Sequence, residues 1–336
     1  MNKTWNKLLA FESRDLVGRY IKEKFERELN RERTLQITSN FIQGREYFRS
    51  SENANSTVRP LLQYYGVMAL SKGIILCLDV KKTESQLKSS HGLEITNWNQ
   101  IIKNKDFENL KIIVRDGTFY ELITVTQNIN YIRSNSSAVN NKSHLIKPQK
   151  GDYLILKQLI SYFPDLQNEY KSWLKEDLHF AAFNIFKTDK EKNSINIELQ
   201  KKIERDVIKL LFPDQYCPDL KVKWENNKTY VSYTLEKWYP NITQRWGWGP
   251  LQIGEACIIP TLKDDIGLNL ISGLYMISYV FGMMARYFPT TWIGIMRGEK
   301  GDKIYPFVHR LMDFIDEKFP IIVLDFLNSP YDFENK

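Results

Sequence analysis

The sequence predicts a mainly α fold with small antiparallel β-hairpins, an α+β protein built as two helical lobes. Three observations carry this. Apolar residues recur at helical spacing over several long segments. Short β-prone runs meet at Asp116-Gly117 and again at Asn226-Asn227. The chain has 336 residues, and domains average about 150. A boundary is therefore placed near residue 150. Residues 1–150 form a basic helical domain with one hairpin. Residues 151–336 form a second helical domain with another hairpin and a buried apolar helix.

Val17, Ile21, Phe25 and Leu29 recur every four residues between charges, the pattern of an amphipathic helix. A second helix is expected from about 38 to 53, with Phe41, Ile42, Tyr47 and Phe48 on its apolar side. Ser56 or Thr57 can cap the next helix, about 58–78, and Pro60 fits its first turn. That helix is apolar nearly all round, which places it centrally. After a polar stretch comes LKIIVRDGTFYELITV, residues 110–125. Asp116-Gly117 reads as a two-residue hairpin turn, with Arg115 and Glu121 on its two arms. Residues 134–143 are rich in turn formers and read as a loop.

Asp152 is a candidate cap for a helix through Phe163, and Pro164 opens another. Residues 187–200 read as a polar connector. Lys221 to Trp238 reads as a hairpin turning at Asn226-Asn227, and Trp246-Gly247-Trp248 as an irregular loop. From Ile266 to Ala285 there is no charge for 20 residues, enough to cross a bilayer. Asn269, Ser272 and Ser278 within it, and the lack of a second such segment, point instead to a buried core helix. A last helix spans about 304–319.

The formal net charge is +7, and it is uneven along the chain. Residues 1–150 hold 24 Lys/Arg against 15 Asp/Glu; residues 151–336 hold 23 against 25. The surplus points to contact between the N-terminal half and nucleic acid, or with an acidic protein partner. The first residues form no secretory signal, so a cytoplasmic protein away from the membrane is expected.

Catalytic motifs are missing. Cys77, Cys217 and Cys257 are widely spaced, an odd count that rules out a fully paired disulfide framework. His91, His144, His179 and His309 make no HExxH. No metal site and no cofactor is expected, since neither a P-loop nor a dinucleotide-binding glycine pattern occurs. The remaining candidates are single residues. His91 can act near neutrality, with Arg115 and Glu121 as catalytic companions. Arg59 and Lys72 stand on an apolar helix, where a cation must reach solvent or pair. Arg286 with Tyr287 can hold an anion, or cap its helix. Trp246 and Trp248 can stack on bases, or fill a gap between domains.

The strings RPLLQYYGVMALSKGIILCL (59–78), SHGL (90–93), DGTFYEL (116–122), ISYFPDL (160–166) and MMARYFPTTW (283–292) occur in an order that resembles the YaaC-like family, from about Trp5 to Leu327. The resemblance implies a bacterial, cytoplasmic, largely helical protein and supplies no chemistry. The first 80 residues also resemble HEPN helical domains, many of which act in RNA cleavage and phage defence, and this brings a role in defence or stress into view. RNA-cutting members carry Arg, four to six residues, then His; none of the four histidines here has an Arg at that spacing. Two function classes follow, beside a third reading as a membrane-associated protein using residues 266–285. One is a non-catalytic binding protein touching nucleic acid or an acidic partner. The other is an enzyme acting on nucleic acid or nucleotides through His91.

Overall fold

The computed structural model describes residues 3–133, 139–144, 146–189, 191–214, 217, 219–234, 247–249, 257–260, 262, 266–299 and 303–328. In chain order the helices and strands begin with α1 (Lys3–Leu8), α2 (Arg14–Phe25), α3 (Arg31–Glu52), α4 (Arg59–Leu78), β1 (His91–Ile95), α5 (Trp98–Asn104), β2 (Lys111–Gly117) and α6 (Thr118–Val125). Next come β3 (Ile129–Arg133), β4 (Val139–His144), β5 (Tyr153–Ile155), α7 (Leu156–Ile160), α8 (Gln167–Leu174), β6 (Ala181–Asp189), β7 (Ser194–Leu199) and α9 (Arg205–Leu211). The last are β8 (Lys221–Glu225), β9 (Lys228–Thr234), β10 (Gly247–Gly249), β11 (Cys257–Ile259), α10 (Leu270–Tyr287), α11 (Pro289–Met296) and α12 (Tyr305–Asn328). The fold is α+β and mainly helical, as predicted.

Two compact units divide the chain, and neither is one continuous stretch. The first comprises residues 1–127, 149–156 and 270–336; the second comprises 128–148 and 157–269. A boundary near residue 150 therefore misassigns the C-terminal helices. They pack with α4 because their apolar faces complete its burial, a long-range choice that local pattern does not encode.

In unit 1, α4 is the central helix, packed against α3, α6, α10 and α12. Its surroundings explain its all-round apolarity: Tyr64, Val67, Leu70, Ile74 and Ile75 are fully buried. Neither Ser56 nor Thr57 caps it; Val58 occupies the cap position without a side-chain bond. The Thr57 hydroxyl is spent on Asn55 Oδ1 instead. Among the described residues α4 is the one helix long and apolar enough to cross a membrane, and most of it is buried inside the protein. The uncharged segment 266–285 becomes α10, which starts at Leu270, and every residue from Ile271 to Met284 is buried. It is a core helix. α12 runs nine residues past its expected end, through Pro320, because Phe319, Ile322, Val323 and Phe326 are all buried. Packing on that face outweighs the lost backbone bond at proline.

The Asp116-Gly117 hairpin does not form. β2 pairs antiparallel with β1 and with β5, and Gly117 opens directly into α6. Arg115 thus lies on a strand and Glu121 in a helix. Asp152 precedes the strand β5 rather than a helix; its carboxylate accepts from the Gln149 N–H at 2.7 Å. Helix α7 begins only at Leu156.

Unit 2 is more β-rich than predicted. Six antiparallel strands run in the order β10-β11-β6-β7-β9-β8, with β3-β4 as a separate hairpin. Residues 187–200 are not a connector but the paired strands β6 and β7. Ile195, Ile197 and Leu199 alternate with Ser194, Asn196 and Glu198, burying one face against Ile208, Leu211 and Phe212. The β8-β9 hairpin forms as read, with Asn226 and Asn227 at φ 49° and 59°. Of the expected loop 134–143, residues 139–143 belong to β4, and the rest lie outside the described residues.

Candidate functional site

His91 begins β1, and its backbone is held from three sides. The Ser90 carbonyl accepts from the Thr118 N–H at 3.0 Å and the Thr118 hydroxyl at 3.2 Å. The Ser90 hydroxyl donates to the Asp116 carbonyl at 2.6 Å. Gly92 and Gly117 lie face to face at φ 81° and 147°. A Cβ on Gly117 would fall 2.3 Å from the Gly92 nitrogen, and one on Gly92 would fall 2.8 Å from the Phe119 nitrogen. Both glycines are required, the second by a crossing of backbones rather than by a turn.

Helix α10 supplies the third support. Tyr275 and Tyr279 stand one helical turn apart and donate to the carbonyls of His91 and Leu93, each at 3.0 Å. α10 approaches α4 closely at Gly282, where a Cβ would meet the Tyr64 Cβ at 2.7 Å. This brings Tyr64 into the same cluster. Its hydroxyl lies 2.7 Å from His91 Nδ1 and 3.4 Å from the Tyr275 hydroxyl. We assign Tyr64 as the donor to Nδ1, the closer acceptor, which leaves the imidazole proton on Nε2. The rings of Tyr64, Tyr275 and Tyr279 pack edge-on around this arrangement, 5.6–5.9 Å apart for the pairs with Tyr64.

Burial lowers the His91 pKa, and the positive charges of Arg286 and Lys72 lower it further. The ring is therefore neutral at pH 7. Burial pushes the Tyr64 and Tyr275 hydroxyls well up and Tyr279 up to about 12, so all three remain protonated donors. Arg286 Nη1 donates to the Tyr65 hydroxyl at 2.9 Å, and its guanidinium lies 5.1 Å from the Tyr287 ring, which is exposed. Lys72 stands seven positions after Tyr65 on α4, two turns along the same face. Neither Arg286 nor Lys72 has a carboxylate partner among the described residues. The result is a patch of positive charge around a neutral imidazole.

The other sequence candidates fall elsewhere. Arg115 pairs with Glu94 at 2.7 Å on the sheet. Glu121 is nearly buried; it pairs with Lys82 at 2.6 Å and accepts the Lys88 N–H at 3.2 Å. Arg59 is held by Asp313 at 2.8 Å and Asp316 at 2.7 Å, tying α4 to α12. Trp248 lies on β10, paired with Ile258 of β11, not in an irregular loop; Trp246 lies outside the described residues. The sequence reading missed Tyr64, Tyr65, Tyr275 and Tyr279. A signal existed: tyrosines four apart on an otherwise apolar helix need partners for their hydroxyls. Among the described residues no group of three or more His, Cys, Asp or Glu could hold a metal ion.

The YaaC-like protein family model matches residues 9–327, nearly the whole chain. The chain belongs to the YaaC-like family. No curated protein and no solved structure matches it. The match runs through both units, so the His91 cluster of unit 1 and the six-stranded sheet of unit 2 both lie within the YaaC-like region.

Proposed function

We propose that the chain is a binding protein rather than a catalyst, and that unit 1 takes a phosphate-bearing ligand, the backbone of a nucleic acid, at the His91 face. One observation carries the reading: Lys72 and Arg286 both act on His91, and neither is neutralised by a carboxylate among the described residues. Cations left unpaired beside a half-buried ring favour an anion, and a guanidinium can meet a phosphate with two parallel hydrogen bonds. Tyr287, exposed beside Arg286, offers a stacking surface for a base.

The enzyme reading has less support. Arg115 and Glu121 are engaged with other partners. His91 meets a tyrosine hydroxyl at Nδ1, whereas a general base is ordinarily oriented by a carboxylate there.

The test is the titration of His91 followed by NMR, with and without inorganic phosphate or a short RNA. A bound anion favours the charged ring, so the His91 midpoint should rise on adding either. Lys72→Gln/Arg286→Gln should abolish the rise. A midpoint that does not move with phosphate or RNA removes the reading. A rise produced by an acidic peptide but not by RNA transfers the site to a protein partner.

A further inference from the structure

The solvent face of the unit 2 sheet carries a depression. Lys187, Asn196, Glu198, Lys221, Lys223 and Tyr230 line it, and its volume of about 430 Å³ is within the range of small-ligand sites. The strand register sets their positions. Lys187, Asn196, Ser232 and Lys221 form one rung across β6, β7, β9 and β8. Glu198, Tyr230 and Lys223 lie on the adjoining rung of β7, β9 and β8. Alternate residues of these strands face the apolar core, which fixes this set outward.

Charge on the face is unbalanced. Lys228 is neutralised by Glu198, and Lys223 by Glu225 at 2.7 Å. Lys187 and Lys221 make no direct ion pair among the described residues, although the Glu198 carboxylate, held by Lys228, also feels the charge of Lys187. Lys187 and Lys221 stand three strand spacings apart, about 14 Å. Tyr230, half-buried, lies between them on the neighbouring rung. Two cations held apart on the rung suit successive phosphates better than one point anion. An aromatic ring between them suits a base, whose face every nucleotide can offer. Asn196 and Ser232, in the middle of the rung, add neutral hydrogen-bonding groups.

We propose that this face binds single-stranded nucleic acid, with one base stacked on Tyr230 and the flanking phosphates taken by Lys187 and Lys221. The residues belong to unit 2, so the proposal stands or falls apart from the His91 reading.

The experiment is fluorescence anisotropy of the full chain with a labelled 12-nucleotide polyuridine at several salt concentrations. Binding tighter than about 100 μM is expected, the weak end of ordinary non-specific association. Tyr230→Ala should weaken it by about 5- to 150-fold, the range of losing one base stack. Tyr230→Phe should stay within about twofold of the parent. Lys187→Gln/Lys221→Gln should reduce the slope of log K against log[salt] by about 1.4, two phosphate contacts on a single strand. These exposed lysines can be changed without touching the core, so this double variant and Tyr230→Phe decide the matter if Tyr230→Ala lowers the melting midpoint. No binding by the parent chain overturns the proposal, as does parent-like affinity and salt slope in both Tyr230→Ala and the double variant. Displacement of polyuridine by polyglutamate as effectively as by unlabelled RNA also overturns it, in favour of an acidic peptide. Loss of binding in Lys72→Gln/Arg286→Gln, with no effect of Tyr230→Ala, would place the nucleic acid on unit 1 alone.

Discussion

His91 differs from a surface histidine because a protonated ring would meet burial and two cations at once. Its pKa lies below 6.5 in the folded chain and near 6.5 in the unfolded one. The unfolded state therefore takes up a proton first as pH falls. The stability due to this group is complete above about pH 6.5 and is lost as pH drops through that value toward the lower folded midpoint. His91→Gln should thus lose less melting temperature than the parent chain between pH 7.5 and 5.5; equal losses over that window would count against a depressed His91. Gly117 makes a second residue-scale case. Its importance is legible in the sequence, but the reason is not. Asp-Gly is a local turn signal, whereas the constraint here comes from the backbone of Gly92, 25 positions earlier. Gly117→Val should cost about 2–3 kcal/mol, from a positive φ and a backbone collision. In a unit of about two hundred residues that is roughly 4–12 °C of melting temperature. An unchanged midpoint would contradict the crossing.

At the scale of elements, helices were read from sequence more completely than strands. α2, α3, α4, α10 and α12 all form where the spacing places a helix, because one face or the whole circumference meets a core, although α2 ends at Phe25, before Leu29, and Ile42 of α3 is exposed. β6 and β7 were missed although SINIEL alternates cleanly, since polar residues fill the outer face and Lys190-Glu191-Lys192 interrupts the run. Arg59 shows what an ion pair does between elements. Burial pushes the Asp316 carboxyl up, against the pull of Arg59 and the Ser51 hydroxyl. Removing only the cation should therefore be expensive. Arg59→Met should destabilise by about 3–5 kcal/mol, as for one partner lost from a buried pair. Arg59→Met/Asp316→Leu should recover most of that loss, because no buried unpaired charge remains; Asp313, the other partner of Arg59, is exposed and stays solvated. Denaturant midpoints of the two variants decide it: a double variant no better than the single one would show that the pair itself holds α4 to α12.

For the whole molecule, charge along the chain and charge in space are different quantities. The excess in residues 1–150 does not gather on one unit. Unit 1 holds 28 Lys/Arg against 24 Asp/Glu, and unit 2 holds 19 against 16. A broad basic half would neutralise about four duplex phosphates, with a salt slope near −3 to −4. Two free cations at the His91 face imply a slope nearer −2 for duplex DNA, at about −0.9 per phosphate. Binding isotherms at 50 and 200 mM salt separate the two. A slope steeper than −3 would mean that the dispersed surface lysines, rather than Lys72 and Arg286, take the backbone.

Composition and periodicity by themselves determined the α+β class, the long helices, the central place of α4, the buried nature of α10 and the β8-β9 turn. The order of five strings along the chain pointed to the family by resemblance, and the family model over residues 9–327 shows it. Each of the element readings rests on neighbours within a few turns of helix or rungs of strand, where side-chain type dictates the solvent a residue prefers. Only the tertiary structure decided that residues 270–336 join the N-terminal helices, that Gly117 meets Gly92, that Tyr64, Tyr275 and Tyr279 pack around His91, and that the charges of Lys72 and Arg286 act on it. Those contacts join residues from tens to over two hundred positions apart. They are chosen by which apolar faces bury each other best, a competition over the whole chain that no local pattern records.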